Sequence, residues 1–308
     1  MRWDSRQLEA LAAVVAEGSF DAAARALHVT PSAVSQRIRA LENAAGSVLV
    51  RRARPVVATT SGQALLRLAR QTELLGAEVA AELGADDERP GGQETDSGRP
   101  DTLVTVPLAV SADSLATWVL AALAQVDGVT FDLHRADDSR TADLLREGVV
   151  MAAVTSQTAQ VQGCRSTPLG IMRYRPACTR AFARRWFPHG PTREALDAAP
   201  VVVFDRTDDL QDRYLRERAP DARPPRHHVP STVEYEETIR LGLGWGMLLD
   251  RPTIGGLHDG TGGGITLLEP DAVLDIPLHL QQWKLRSTVL DRVTAALRKE
   301  ATRELLPA

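Results

Sequence analysis

The chain has 308 residues, of which 44% are hydrophobic and 25% are charged, and its formal net charge is -4. This composition is typical of a folded globular protein of about two domains, and it excludes the disordered and fibrous classes. Residues 1–70 hold ten Arg against five acidic residues, a net charge of +5, so residues 71–308 carry -9. A basic head on an acidic body predicts a nucleic-acid-binding module joined to a second part.

The sequence gives little support for disulfides, metal sites or membrane spans. Cys164 and Cys178 are the only cysteines and lack CxxC spacing, which argues against a disulfide framework and a Cys-based zinc site. His227 and His228 have no third ligand at a useful spacing. The chain starts on charged sequence and contains no apolar run of about 18 residues. We therefore expect a cytoplasmic protein with no membrane partner, no metal and no cofactor.

Apolar periodicity and helix-start signals predict three helices in the first part of the chain. The first has an apolar stripe made of Leu8, Leu11, Ala12 and Val15. Ser19 can cap the second helix, and Thr30 followed by Pro31 marks the start of the third, which runs to about Ala45. Three helices with a tight break at His28-Val29 predict a helix-turn-helix unit.

The third predicted helix carries a polar stripe opposite its apolar face. The stripe consists of Ser32, Ser35, Gln36 and Arg39. These side chains repeat at helical spacing and include no carboxylate, a pattern suited to hydrogen bonding with base edges in a DNA major groove. For a single helix, a solvated polar face is the competing interpretation.

An arginine-rich hairpin follows this helix and favours the DNA-binding interpretation. Two short extended runs, Val48–Val50 and Val56–Ala58, flank Arg51, Arg52 and Arg54. A wing of this kind is suited to contact phosphates or to enter the minor groove. The predicted DNA-binding set is completed by the helix-start residues Ser19, Thr30 and Pro31.

A long helix is predicted from Thr60 to about Leu83. Its apolar positions step by three and four residues, as in a coiled-coil seam, and are Leu65, Leu68, Thr72, Leu75 and Val79. The seam predicts a homodimer that matches a two-fold operator, although packing on a globular body would give the same spacing. Residues from Gly84 to Pro100 include five acidic residues and few apolar ones, and they predict a flexible hinge.

Strand and helix patterns alternate from residue 102 onward, which predicts an α/β domain with a largely parallel sheet. A βαβαβ run comes first, and a second set of strands and helices begins near Val201. The sequence thus predicts a DNA-binding domain at 1–60, a linker and dimerisation helix at 61–84, a hinge at 85–101 and an α/β domain at 102–308. Within the α/β domain, lobe I is predicted at about 102–172 and 277–308 and lobe II at about 173–276, with a crevice between them.

The first 85 or so residues resemble the LysR-type transcriptional regulators. The resemblance rests on Gly18-Ser19-Phe20, Ala22–Leu27, Thr30–Ile38, Leu41-Glu42 and Thr59–Gly62. It extends over the chain to the branch of the lysine and arginine regulators LysG and ArgP at Leu49–Arg51, Ala112–Trp118, Leu144–Gly148, Ala153–Thr155, Asp208–Asp212 and Gly242–Met247. This resemblance implies a winged helix-turn-helix, a linker helix and a periplasmic-binding-protein-like effector domain, assembled as a dimer of dimers.

Candidate effector-binding residues lie near predicted strand ends and helix starts, where open parallel sheets bind ligands. Ser114 and Thr232 are predicted to begin helices and to hold a ligand carboxylate, although N-capping explains them equally well. The candidates for binding a cationic group are Asp113, Asp138, Asp208, Asp209 and Glu234, and Thr155 completes the set. Each carboxylate alone is more typical of a helix-dipole partner, but their joint presence favours lysine or arginine.

The functional prediction is a transcriptional regulator and not an enzyme, because the sequence has neither a nucleophile elbow nor a set of Ser, His and Asp. We expect an activator that binds double-stranded operator DNA as a homodimer or homotetramer, contacts RNA polymerase and senses lysine or arginine. Its target would be a gene for an amino-acid exporter or a related metabolic protein. Two alternatives stay open: a LysR-type regulator of another small metabolite, and an α/β solute-binding protein that does not bind DNA.

Overall fold

The structure, a computed structural model, describes residues 3–85, 103–250 and 264–308. The chain divides into two compact units. The first comprises Met1–Val110, Ala121–Thr167 and Leu280–Lys299, and the second comprises Ser111–Leu120, Pro168–His279 and Glu300–Ala308. Of the predicted hinge, residues 85–101, only Ala85 lies within the described residues, as the end of a helix.

Three helices form the N-terminal head: α1 (Ser5–Glu17), α2 (Phe20–Ala26) and α3 (Pro31–Ala45). Each begins after a side chain that accepts a hydrogen bond from a free amide of the first turn, and these caps are Asp4, Ser19 and Thr30. The inward faces share one apolar core, in which Leu11 and Ile38 are fully buried. The predicted helix-turn-helix is confirmed.

A short hairpin packs against the head, with β1 (Val50–Arg51) antiparallel to β2 (Val57–Ala58). Gly18, at the end of α1, has a φ of +66°, and a Cβ there would lie 2.9 Å from Cβ of Pro55. The amide of Val56 donates to the carbonyl of Gly18 at 2.8 Å. The hairpin therefore approaches this turn so closely that glycine is required.

The long helix α4 (Thr60–Ala85) starts directly after the hairpin. Thr59 joins the two, because its hydroxyl donates to the carbonyl of Val48 at 2.7 Å and accepts from the amide of Gly62 at 3.1 Å. A Cβ at Gly62 would lie 1.9 Å from the carbonyl oxygen of Leu49. The first turn of α4 is thus packed on the hairpin backbone and fixed to the head.

The α/β part of the first unit has three parallel strands with β3 in the centre, and their bounds are β3 (Val104–Val110), β4 (Val129–Arg135) and β5 (Ala152–Thr155). Helix α7 (Asp138–Glu147) connects β4 to β5. Helix α12 (Thr288–Glu304) also begins in this unit. Pro107 lies inside β3, and its carbonyl accepts from the amide of Met151 at 2.9 Å.

The second unit is built around β6 (Cys164–Thr179), a strand of 16 residues that begins in the first unit. Both β9 (Gly246–Leu249) and β10 (Ile265–Leu267) pair antiparallel with β6. A separate parallel pair is formed by β7 (Val201–Val203) and β8 (Arg226–His228). The remaining elements are α5 (Ala112–Ser114), a π-helical turn (Leu115–Val119), α6 (Leu120–Leu123), α8 (Arg180–Trp186), α9 (Arg193–Ala198), α10 (Leu210–Arg218), α11 (Thr232–Arg240) and β11 (Leu274–Trp283).

Three expectations from the sequence need correction. The strands pair in both directions, so the sheet is mixed and not largely parallel. Ser111, with its extended backbone, occupies the N-cap of α5, whereas Ser114 is already helical. In the same way Ser231 occupies the N-cap of α11, and Thr232 lies in its first turn. The hydroxyls of Ser114 and Thr232 therefore do not serve as the expected N-caps.

Candidate functional site

Helix α3 presents the predicted polar stripe to solvent. Ser32, Gln36 and Arg39 are exposed, and Ser35 is half-buried. The opposite face is held by completely buried apolar side chains, which are Val34, Ile38 and Leu41. Because those three side chains fix the rotation of the helix, the stripe points away from the head core.

Two other charged side chains of α3 are engaged within the head. Arg37 Nη1 lies 3.9 Å from Oε2 of Glu9 on α1. Glu42 Oε1 accepts a hydrogen bond from the amide of Leu49 at 2.9 Å. The only carboxylate of α3 is therefore bound to the hairpin, and Arg39 is the charged side chain of the outward stripe.

The hairpin carries its three arginines on exposed positions. The guanidinium of Arg52 lies 5.2 Å from the ring centroid of Phe20, a cation–π contact that holds this arginine against α2. Arg51 and Arg54 are exposed on the same hairpin. Their planar guanidinium groups are suited to bidentate contact with phosphate.

The predicted helix-start residues Ser19, Thr30 and Pro31 have structural roles at the starts of α2 and α3. The hydroxyls of Ser19 and Thr30 accept from the amides of Ala22 and Ala33 at 3.1 and 3.2 Å. Pro31 is the first residue of α3 and is exposed. Since the positive end of the helix dipole lies here, the start of α3 is electrostatically suited to a nearby phosphate.

A second group of polar side chains lies in the second unit around Asp113. Tyr174 on β6 donates its hydroxyl to Asp113 Oδ2 at 2.6 Å, and Thr232 donates its hydroxyl to Asp113 Oδ1 at 3.0 Å. Burial, followed by the charge of Asp113, raises the pKa of Tyr174 well above its usual value. Asp113 is therefore held in place by two donors from distant parts of the sequence. We call Asp113, Tyr174, Thr232 and Asp208 the acidic cluster.

Asp208 contributes a partly buried carboxyl to this cluster. It accepts from the amide of Phe204 at 2.9 Å and from the amide of Leu210 at 3.0 Å. Burial raises the pKa of Asp208, the two amides oppose the rise, and the nearby Asp113 carboxylate adds to it. Two carboxyls in a common, partly desolvated region favour the binding of a cation, which would offset the burial of negative charge.

Polar side chains with unused hydrogen-bonding capacity lie in the same unit. Gln211 donates to the hydroxyl of Tyr235 at 2.8 Å, while its own Oε1 is buried and has no hydrogen-bond partner within the described ranges. Tyr235 also accepts from the amide of Met247 at 2.9 Å. Ser114 Oγ is likewise buried without a partner in those ranges. Such groups are expected to bond to water or a ligand.

The other predicted effector-binding residues make local contacts or belong to the first unit. Asp209 is exposed and pairs with Arg216 at 3.7 Å, and Glu234 is exposed and accepts from the hydroxyl of Ser231. Thr155, buried at the end of β5, and Asp138, the first residue of α7, belong to the first unit.

The described residues also bear on metal binding and on membrane insertion. Within residues 3–85, 103–250 and 264–308, no group of three or more His, Cys, Asp or Glu side chains could hold a metal ion. No helix in the described part of the chain is long and apolar enough to span a bilayer. Cys164 and Cys178 are buried free thiols.

Comparison with known proteins identifies the family. The profile of the bacterial regulatory helix-turn-helix proteins of the lysR family matches residues 5–63. The transcriptional regulator LysG of Mycobacterium tuberculosis is 44% identical over 300 residues, which are 97% of this chain and 94% of that protein. The chain belongs to the LysR family of transcriptional regulators. The regulator is therefore a member of a DNA-binding family that uses a helix-turn-helix head.

Solved structures of relatives match the whole regulator. A crystal structure of ArgP from Mycobacterium tuberculosis matches with a TM-score of 0.82 and 43% identity, covering 100% of both chains. Full-length LysG of Corynebacterium glutamicum with bound effector Arg matches with a TM-score of 0.71 and 35% identity, covering 99% of this chain and 100% of that one. That relative is named a lysine export transcriptional regulatory protein and is 38% identical over 308 residues, 98% of this chain and 99% of its own. The predicted fold class is confirmed.

Sequence reasoning missed three polar side chains of the regulator that lie in or beside the acidic cluster: Tyr174, Gln211 and Tyr235. Tyr174 lies on β6, where arginines and prolines conceal the strand pattern. Gln211 lies on α10 and Tyr235 on α11, and helical periodicity does not distinguish these two polar side chains from the other residues of their helices. The one signal in the sequence that is related to Tyr235 is Gly246. A Cβ at this glycine would lie 2.4 Å from the hydroxyl of Tyr235, so the position has room only for glycine.

Proposed function

We propose that this regulator senses a basic amino acid, arginine or lysine, and activates a gene for an amino-acid exporter or a related metabolic protein. The observation that carries the proposal is the acidic cluster, in which Asp113 is held by Tyr174 and Thr232 near the partly buried Asp208. A guanidinium or ammonium group would pair with these carboxyls. Among relatives, LysG of Corynebacterium glutamicum carries arginine as effector and is named for lysine export.

The proposed roles of the polar groups follow from their chemistry. Asp113 and Asp208 would bind the cationic end of the ligand, and Ser114 Oγ and Gln211 Oε1 would supply the hydrogen-bonding capacity that they do not use elsewhere in the described chain. Ser114 can donate to a ligand carboxylate, and Gln211 Oε1 can accept from an amino group. For Asp138, Thr155, Asp209 and Glu234, an effector contact stays a prediction.

In the proposed DNA complex, the stripe of α3 enters the major groove and the hairpin lies beside the backbone. Ser32, Ser35, Gln36 and Arg39 would read base edges. Ser19, Thr30, Pro31, Arg51, Arg52 and Arg54 would position the phosphate backbone or enter the minor groove. The proposed domain boundaries are a DNA-binding domain at 1–60, a linker helix at 61–84 and an effector domain at 102–308. We propose a cytoplasmic location, where a DNA-binding regulator would meet its operator, and RNA polymerase as a further partner.

The exposed seam of α4 supports a proposed homodimer, and a homotetramer built from two dimers. Leu65 is buried in the head core, whereas Leu75 and Val79 are exposed, with 53% of Val79 accessible to solvent. Exposed leucine and valine at coiled-coil spacing favour a partner helix. Changing both Leu75 and Val79 to Glu should lower the molar mass measured by analytical ultracentrifugation. Leu241→Glu, at an exposed leucine of the second unit, is the matched control and should leave the mass unchanged.

A thermal-shift panel tests the proposed effector. Full-length protein is heated with arginine, lysine, citrulline, norleucine or buffer alone. A ligand at about 100 times its Kd adds about 2.7 kcal/mol of stability, so arginine or lysine should raise Tm clearly. Citrulline has nearly the shape of arginine without its charge and should have a much smaller effect. An equal response to citrulline and arginine, or no response to either basic amino acid, contradicts the proposal and favours a different small-metabolite effector.

A further inference from the structure

The linker helix α4 is attached to the ends of two other helices within the first unit. The attachment points are Arg67 and Glu78, which are separated by about three helical turns and so lie on one face of α4. Between them Leu74 is completely buried. This face is distinct from the exposed positions Leu75 and Val79.

Arg67 binds the C-terminal end of α7. Its guanidinium donates to the carbonyl oxygen of Arg146 in the last turn of that helix. The next residue after α7 is Gly148, with a φ of +76°, and a Cβ there would lie 2.6 Å from Cγ of Arg67. A cation at the negative end of a helix dipole is electrostatically favourable, and the glycine makes the close approach feasible.

Glu78 binds the N-terminal end of α12. Its Oε1 accepts from the hydroxyl of Ser287 at 2.5 Å and from the amide of Val289 at 2.9 Å. Ser287 is buried and its Oγ in turn accepts from the amide of Leu290 at 3.0 Å. The carboxylate of Glu78 thus lies at the positive end of the dipole of α12, whereas the guanidinium of Arg67 lies at the negative end of the dipole of α7. Both contacts are electrostatically favourable.

These contacts connect the α/β part of the first unit to the DNA-binding head. Helix α7 and the start of α12 belong to that part, and Arg67 and Glu78 hold them against α4. Helix α4 then continues to its first turn, where Gly62 packs on the hairpin. A displacement of α7 would therefore move α4 together with the head.

We propose that Arg67 and Glu78 are positioning residues that clamp α4 to α7 and α12 and transmit effector binding to the DNA-binding heads. The inference rests on the proposed function, because it needs an effector. The proposal is that Arg67 and Glu78 control the coupling, which is the change in DNA affinity that effector binding causes. They are not proposed to set the affinity for the effector itself. Coupling between two ligands typically changes affinity by about 5- to 150-fold.

The test compares the Kd of full-length protein for a DNA fragment selected from the genome, with and without saturating arginine. Glu78→Ala and Arg67→Ala should still bind arginine in a thermal-shift assay. In both variants, however, arginine should change the DNA Kd by no more than about twofold. Glu78→Gln keeps a carbonyl acceptor and should recover part of the ratio. Glu73→Gln changes an exposed side chain of α4 that pairs with Arg70 at 3.5 Å, and should keep the wild-type ratio.

The experiment can contradict the proposed clamp alone, or the proposed function together with the clamp. A wild-type ratio in Arg67→Ala, Glu78→Ala and Glu78→Gln overturns the clamp while leaving the proposed function intact. A wild-type protein whose Tm does not change with arginine or lysine overturns the proposed function, and the clamp with it. If Glu78→Ala fails to fold, Glu78→Gln decides, because it preserves the size of the side chain and one acceptor oxygen while removing the charge.

Discussion

At the residue scale, the DNA-binding side chains separate into those that read bases and those that bind the backbone. Arg39 stands on the exposed stripe of α3, whereas Arg54 stands on the hairpin. A base-reading arginine contributes to discrimination between sequences, and a phosphate-binding arginine contributes to affinity for any sequence. The two residues should therefore differ in the kind of loss that their removal causes.

Arg39→Ala should cost about 1–3 kcal/mol for the preferred DNA and reduce selectivity over competitor DNA. Arg54→Ala should weaken binding to all sequences and lower the slope of log K against log salt by about 1. Gel-shift competition at several salt concentrations measures both effects. Arg184→Ala removes the same charge from an exposed position on α8 and serves as control. Unchanged selectivity in Arg39→Ala would show that another face reads the bases.

Asp113→Asn should weaken arginine binding by about 10- to 150-fold, because a charge-assisted hydrogen bond contributes about 1.5–3 kcal/mol. Titration calorimetry of the full chain provides the measurement. Asp221→Asn is the matched control, since Asp221 is an exposed carboxylate of the same unit that pairs with Arg193. Equal losses in the two variants would contradict the role assigned to Asp113.

At the element scale, two glycines of α4, Gly62 and Gly76, have opposite expected effects. Gly62→Ala should destabilise the fold by about 1–3 kcal/mol, because the new methyl group would meet the carbonyl of Leu49 at 1.9 Å. Gly76→Ala has open space and should stabilise the helix by about 0.5–1 kcal/mol. Urea unfolding followed by circular dichroism distinguishes them. A loss of stability in Gly76→Ala would contradict the open environment of that residue.

Strand β6 is joined to β11 by an ion pair that predicts a pH dependence. Arg173 donates to both carboxylate oxygens of Asp275 at 2.7 Å and holds the pKa of Asp275 below its usual value. A lowered pKa in the folded state means that the pair stabilises the fold above the ordinary Asp pKa, about 3.9, and that this contribution disappears as the pH falls through the folded-state pKa.

The variant Asp275→Asn should therefore be less stable than the wild type near pH 7, and the difference should shrink as the solution is acidified below about pH 4. Urea midpoints of both proteins across this range provide the measurement. Asp221→Asn, whose partner Arg193 lies 3.2 Å away on the open surface, is a control with a smaller expected difference. A difference that is the same at all pH values would rule out the ion pair as its origin.

The sequence was sufficient for elements whose stability is local and insufficient for those that depend on distant partners. Caps and apolar stripes predicted α1, α2 and α3 because N-caps and helix periodicity act within a few residues. Strand β6 went unpredicted because Arg173 and Arg175 make it look polar, while their partners Asp275 and Asp250 are far away in sequence. Tyr174 was missed for the same reason, and with it one of the two donors that hold Asp113.

At the scale of the whole molecule, charge and function are unevenly distributed along the chain. The head has a net charge of +5 within residues 1–70, and the rest of the chain carries -9. An excess of arginine on the head favours phosphate binding, while the acidic remainder is repelled by DNA. Contact with DNA is therefore expected through the head, and the effector must act on it through α4.

The measurement that tests the central claim most directly is the DNA affinity of the wild-type protein with and without arginine. Fluorescence anisotropy with a selected genomic fragment should show a change of about 5- to 150-fold, and arginine affinity should change by the same factor when DNA is bound. Citrulline should leave the DNA affinity nearly unchanged. A DNA Kd that is the same at zero and saturating arginine and lysine would contradict a regulator controlled by a basic amino acid.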